Sequence, residues 1–138
     1  MNLMFEGRWR GPKDLGTATL GTAWTTIGSA EVGGARWAGA YIDLNINAGT
    51  NARVRLRGMY GSGGSAYYLP LTTVGTSTVD VEDRFVEFVG DSDQKQLLTW
   101  ELDGVCPWVK LEGSVGGSGG TGAGTATTID GAQFITAV

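Results

Sequence analysis

In the stretch ARVRLRG (52–58), Arg53, Arg55 and Arg57 alternate with Val54, Leu56 and Gly58. A guanidinium offers a planar fork of N–H donors that grips a carboxylate or phosphate bidentately and gives up its water readily. Three of them on one strand face make either a reader of an anionic partner or a stripe that pairs with the protein's own acids. Phosphate readers need a net basic surface. This chain has 10 Lys and Arg against 14 Asp and Glu, a net charge of −4. Nucleic acid is therefore not an expected partner. The expected partners are solvent, carboxylates within the chain (Asp43 across a hairpin), or carboxylates on a neighbouring subunit.

Other chemistry is thin. The chain has no histidine, which removes the commonest general base and metal ligand. Its one cysteine, Cys106, lies between Val105 and Pro107 in a strand-like run and reads as a small buried hydrophobe. The run GGSGGTGAG (116–124) lacks the Lys-Ser/Thr ending of a phosphate loop and reads as a flexible Gly-rich loop. DSDQ (91–94) starts like a calcium loop but has neither the later glycine nor the bidentate glutamate, so it reads as a turn. No nucleophile and base stand out, and no catalytic residue, cofactor or metal is expected. Among the tryptophans, Trp100 falls on the apolar phase of its strand. Trp108 falls on the phase opposite Val109 and Leu111 and is a candidate for an exposed or interfacial ring. Trp24 and Trp37 have no clear phase.

The elements that would position these residues are strands. Glycine is frequent, with 24 residues, and charged residues make up only 17%, a composition that favours turns and thin-walled β-structure over long helices. From residue 16 the apolar period is two. In WAGAYIDLNIN (37–47), Ile42, Leu44 and Ile46 share one face, and Asp43, Asn45 and Asn47 the other. AGTN (48–51) reads as a turn and ARVRLRGMY as the returning strand of a β-hairpin, with Val54 and Leu56 inward. LLTWELDG (97–104) turns Leu98, Trp100 and Leu102 inward; CPWVKLEGSV (106–115) turns Val109, Leu111 and Val115 inward, with Lys110 and Glu112 outward. Eight to ten such short strands predict an all-β antiparallel sandwich, jelly-roll-like, as a single domain over 16–138. Residues 1–15 read as an arm or an irregular first strand. Met4, Phe5 and Trp9, with Arg8 and Arg10, suit docking on a neighbour. The N-terminus lacks the order of a signal peptide, and no apolar run of membrane-spanning length is present, so no membrane partner is expected.

The segments LGTAWTTIGSAEV, WAGAYIDLNINAGTNARVRLRG, YYLPL, FVEFVGDSDQKQLLTWELDGVCPWVKLEGSVG and GTATTIDGAQFITA cover most of the chain after residue 18. In pattern and order it resembles small virion structural proteins of tailed bacteriophages, the β-sandwich proteins that decorate or cement capsids. The resemblance implies a non-enzymatic protein made in the bacterial host cytoplasm and placed on the virion. It implies a homo-oligomer, a trimer foremost, attached to the major capsid protein, and it brings no catalytic residues. The interface candidates are Phe5, Arg8, Trp9, Arg10, Arg53, Arg55, Arg57 and Trp108. Two other readings stand beside it: a tail or fibre component of the same fold, and a carbohydrate-binding sandwich module. The last would show a line of exposed aromatic rings beside amides.

Overall fold

The computed structural model describes residues 9–47, 51–61, 66–68, 71–73, 78–80, 85–89, 93–102, 106–116 and 127–137. Twelve strands form: β1 (Trp9–Asp14), β2 (Ala18–Thr19), β3 (Thr25–Glu31), β4 (Trp37–Asn45), β5 (Asn51–Met59), β6 (Ala66–Tyr68), β7 (Leu71–Thr73), β8 (Thr78–Asp80), β9 (Phe85–Val89), β10 (Asp93–Glu101), β11 (Trp108–Gly116) and β12 (Thr128–Ala137). The described residues contain no helix. Two antiparallel sheets face each other. Sheet A runs β1-β12-β4-β10-β7, with β2 also on β12; sheet B runs β3-β11-β5-β9-β8, with β6 also on β5.

Eight of these strands make a framework of β1, β3, β4, β5, β9, β10, β11 and β12. Counted along the chain, sheet A carries the first, eighth, third and sixth in order, and sheet B the second, seventh, fourth and fifth. This is the strand order of a jelly roll. The short strands β6, β7 and β8 decorate the long connection between β5 and β9 and raise the count above the expected eight to ten.

The topology corrects one expectation. β4 and β5 are not a hairpin: β4 lies between β12 and β10 in sheet A, and β5 beside β11 and β9 in sheet B. Alternation followed by a turn and renewed alternation describes a chain that crosses between two sheets as well as one that doubles back within one sheet. Both arrangements bury every second residue. The partner of Asp43 changes accordingly. It sits opposite Lys95, whose Nζ lies 3.7 Å from Oδ2 in an exposed pair.

The expected inward residues are buried. Ile42, Leu44, Val54, Leu56, Leu98 and Trp100 have no accessible surface, and Ile46, Leu102, Val109, Leu111 and Val115 almost none. Cys106 is buried too, and its Sγ donates to the Trp108 carbonyl at 3.1 Å. Packing across sheet A works by alternating size. Ala38 stands between Trp100 and Thr136, Ala40 between Leu98 and Phe134, and Ile42 opposite Ala132. Small residues face large ones across neighbouring strands, as close packing requires. Beyond β1 the chain sends Leu15 and Leu20 into the gap between the sheets. A Cβ at Gly28 would lie 2.8 Å from Leu15 Cβ, and one at Gly113 2.9 Å from Leu20 Cδ2, so these two glycines form the seats for the leucines.

β1 joins the sheet through an irregular register, shifting between Arg10 and Lys13. Gly11 makes this possible. Its φ is +103°, and a Cβ there would stand 2.7 Å from the Phe134 carbonyl oxygen. Gly11→Ala is expected to lower stability by about 1–3 kcal/mol, the usual cost of forcing a side chain into a sparsely populated backbone region. Urea unfolding of the two proteins checks this, and an unchanged midpoint would mean that β1 does not depend on this contact.

Candidate association surfaces

The two outer sheet faces differ in kind. On sheet B the alternation of β5 puts Arg53, Arg55 and Arg57 outward, as the sequence predicts. β11 supplies the partners: Arg53 lies opposite Ser114, Arg55 opposite Glu112 and Arg57 opposite Lys110. Arg53 also lies opposite Glu87 of β9. Arg55 Nε donates to Glu112 Oε1 at 2.8 Å, and Lys110 Nζ reaches Glu112 Oε2 at 3.1 Å.

The loop before β3 then lays Trp24 over this stripe. Its ring centroid is 3.9 Å from Arg55 Cζ and 5.3 Å from Arg53 Cζ, and Phe85 packs against it with centroids 5.8 Å apart. Arg53 Cζ is also 5.3 Å from the Phe85 ring centre. Indole and phenyl faces carry negative potential, and a guanidinium stacks on them with little loss of hydration. Arg53 adds hydrogen bonds from Nε to Ser114 Oγ at 3.1 Å and from Nη2 to the Val115 carbonyl at 3.4 Å.

Arg55 and Glu112 are therefore buried, at 8% and 4% exposure. A solvated stripe was one expectation for these arginines; for Arg55 the structure replaces it with a covered ion pair made within the chain. Arg53 and Arg57 are half-buried. Trp108 is half-buried at the end of the same face, opposite Glu31 and Met59.

Among the described residues, the outer face of sheet A presents an apolar patch. Its rows follow from the register. Trp37 lies between Glu101 and Ala137, Gly39 between Thr99 and Ile135, and Tyr41 between Leu97 and Gln133. These rows enclose a groove of about 410 Å³ whose walls are the side chains of Trp37, Leu97 and Ile135. Gly39 is its floor; a Cβ there would come within 3.2 Å of Ile135 Cγ2 and take up part of the space. Four large apolar side chains are exposed among the described residues, and three of them are on this face: Trp37 at 40%, Tyr41 at 43% and Leu97 at 56%. Three large side chains gathered on one face make a patch, which single exposed residues do not. Carboxylates frame both ends, Glu101 beside Trp37 and Asp43 beyond Tyr41.

Of the expected interface residues, Phe5 and Arg8 lie outside the described residues. Trp9 and Arg10 belong to β1, their backbones opposite Ala137 and Thr136. The structure thus places Trp9 at the end of the sheet A groove, on the row of Trp37. It does not bring these residues near Arg53, Arg55 and Arg57, which lie on the other sheet. The groove residues themselves are absent from the sequence-based candidates. A signal for them exists: the alternation that puts Asp43 outward, carried back along β4, also puts Tyr41, Gly39 and Trp37 outward, and the phase of Trp100 puts Leu97 outward.

Comparison with protein-family models, with curated proteins and with solved structures finds no match for the chain.

Proposed function

We propose that the protein is a non-enzymatic structural component of a tailed-phage virion, a decoration protein that associates with its own copies and with the major capsid protein. The observation that carries this is the contrast between the two faces. Sheet B closes its polar face with its own acids and aromatic rings, whereas no described residue covers the apolar groove of sheet A. A protein whose work is attachment needs a rigid body and such a face. Jelly rolls serve both capsid and carbohydrate-recognition roles, so the fold supports the reading by analogy only. Many modest contacts of this kind become strong when a lattice repeats them.

Leu97→Asp tests the reading. Leu97 is more than half exposed, so the substitution is expected to leave unfolding within about 0.5 kcal/mol of the parent. It places a charge in the groove and is expected to shift the protein to monomer in light-scattering size measurements and to abolish co-sedimentation with capsids. A parent protein that is monomeric and a variant that still decorates capsids would overturn the reading.

One observation favours a second reading. Trp37 and Tyr41 are exposed rings four residues apart on one strand, roughly 13 Å along it, a spacing that spans more than one sugar unit. Gln133 stands opposite Tyr41. A carbohydrate-binding module is thus the alternative. A glycan array with hits that Trp37→Ala removes would establish it.

A further inference from the structure

We infer that the sheet A groove receives residues 1–8 of a second copy of this chain, so that each subunit gives one arm and takes one. This rests on the association reading above and names the element that fills the groove. Three observations carry it.

The first is where the described chain ends. Trp9 pairs with Ala137, and Ala137 forms one wall of the groove. β1 is antiparallel to β12, so β1 begins on the row of Trp37 and runs from there toward the row of Gln133. Extended, eight residues reach about 27 Å, enough to cross to a neighbour.

The second is chemistry. Leu3, Met4 and Phe5 are consecutive, and they are the apolar side chains of that segment apart from Met1. They match a groove walled by Trp37, Leu97 and Ile135. Arg8 follows three residues after Phe5 and finds a carboxylate at whichever end the segment enters, Glu101 at one and Asp43 at the other. Glu6 can meet Lys95 in the row of Asp43.

The third is geometry. To cover its own groove the segment would have to reverse just before Trp9 and climb about 10 Å, the spacing of a packed layer, which takes roughly three residues at strand rise. Phe5 would be used up in the turn and Leu3 at most would lie over Gly39. A neighbour's segment arrives without the reversal and can lay Leu3 and Phe5, which share one face of an extended segment, along the groove. Arm on groove closes either as a reciprocal exchange between two copies or, head to tail, as a ring when the rotation allows, as in a trimer.

The test uses two full-length variants, Phe5→Cys and Leu97→Cys. The native Cys106 is buried, and Leu97 is exposed. Mixed and oxidised, they are expected to give a covalent heterodimer, abolished by reductant, several-fold above either variant oxidised alone. The Phe5→Cys/Leu97→Cys double variant is expected to give covalent multimers. A double variant that forms only a within-chain disulfide overturns the exchange and makes the segment a strap on its own sheet. No cross-link in either arrangement also overturns it and gives the groove to another occupant, the flat face of a second copy or a carbohydrate. Sizing of the unmodified protein separates the two levels: a multimer without the cross-link ends this inference and leaves the association reading, whereas a monomer whose Leu97→Asp variant still decorates capsids ends both.

Discussion

Glu112→Gln is expected to destabilise the protein by about 3–5 kcal/mol, the cost of leaving one buried charge without its counter-ion. The side chains of Arg55 and Glu112 are 10% and 6% exposed, so water does little to screen them. Glutamine keeps the volume and one acceptor. What it removes is the charge that neutralises Arg55 and offsets Lys110, and the stacked Trp24 ring cannot replace a carboxylate at 2.8 Å. Against the 5–15 kcal/mol of a typical domain, roughly a third or more of the stability would go. The double variant Arg55→Met/Glu112→Leu is the informative companion. Removing both charges also removes both desolvation costs, so it is expected to fall within about 1 kcal/mol of the parent, since apolar replacements of buried pairs are often neutral or better. Lys110, a quarter exposed, can turn its ammonium to water. Guanidinium unfolding with unchanged m-values measures both. A single-variant cost below about 1 kcal/mol would put the pair in the class of exposed ion pairs and contradict its burial.

What was legible in the sequence was the phase of each strand. Ile42, Leu44, Val54, Leu56, Leu98, Trp100, Val109 and Leu111 can all be assigned to the core from alternation alone, because side-chain direction in a strand is fixed locally. Which strands pair is not local. β4 and β5 read as a hairpin because the four residues between their predicted strands look like a turn. Their true neighbours, β12, β10, β11 and β9, are brought in by the closure of two sheets around one core. The same limit hid the partner of Arg55. Glu112 is 57 positions away, and nothing near Arg55 announces it. Trp24 had no readable phase, since it comes from a loop that lies over the sheet. The groove on sheet A is a different case. Its residues were in phase with residues already assigned outward, but an exposed Trp, Tyr or Leu means little singly. Only the register, which puts Trp37, Tyr41, Leu97 and Ile135 on adjoining rows around Gly39, makes them a surface.

Trp100→Ala is expected to cost about 3–5 kcal/mol, and Trp100→Phe only about 1 kcal/mol, through the balance of cavity and polar terms. The indole has no accessible surface and is the largest fully buried side chain among the described residues. Its row is built around it, with Ala38 opposite on β4 and Thr136 beyond on β12. Trp100→Ala leaves a void that Ala38 and Thr136 are too small to fill, because β4 is held on both sides. The polar term runs the other way. Trp100 Nε1 is buried without a hydrogen-bond partner among the described residues, and a buried donor left unpaired costs roughly 1–3 kcal/mol. Phenylalanine gives up part of the apolar volume but also discards the orphaned donor, so the two effects largely offset. The comparison separates them: equal losses for Ala and Phe would mean that the indole nitrogen is satisfied and that its hydrogen bond stabilises the fold. A small loss for both would mean that Ala38 and its neighbours collapse into the space. Because Trp100 lies on the inner side of the sheet and the groove on the outer side, Trp100→Phe is expected to fold and to associate like the parent, whereas Leu97→Asp folds and does not associate. Stability and attachment would then be shown to reside on opposite faces of the same strand, β10.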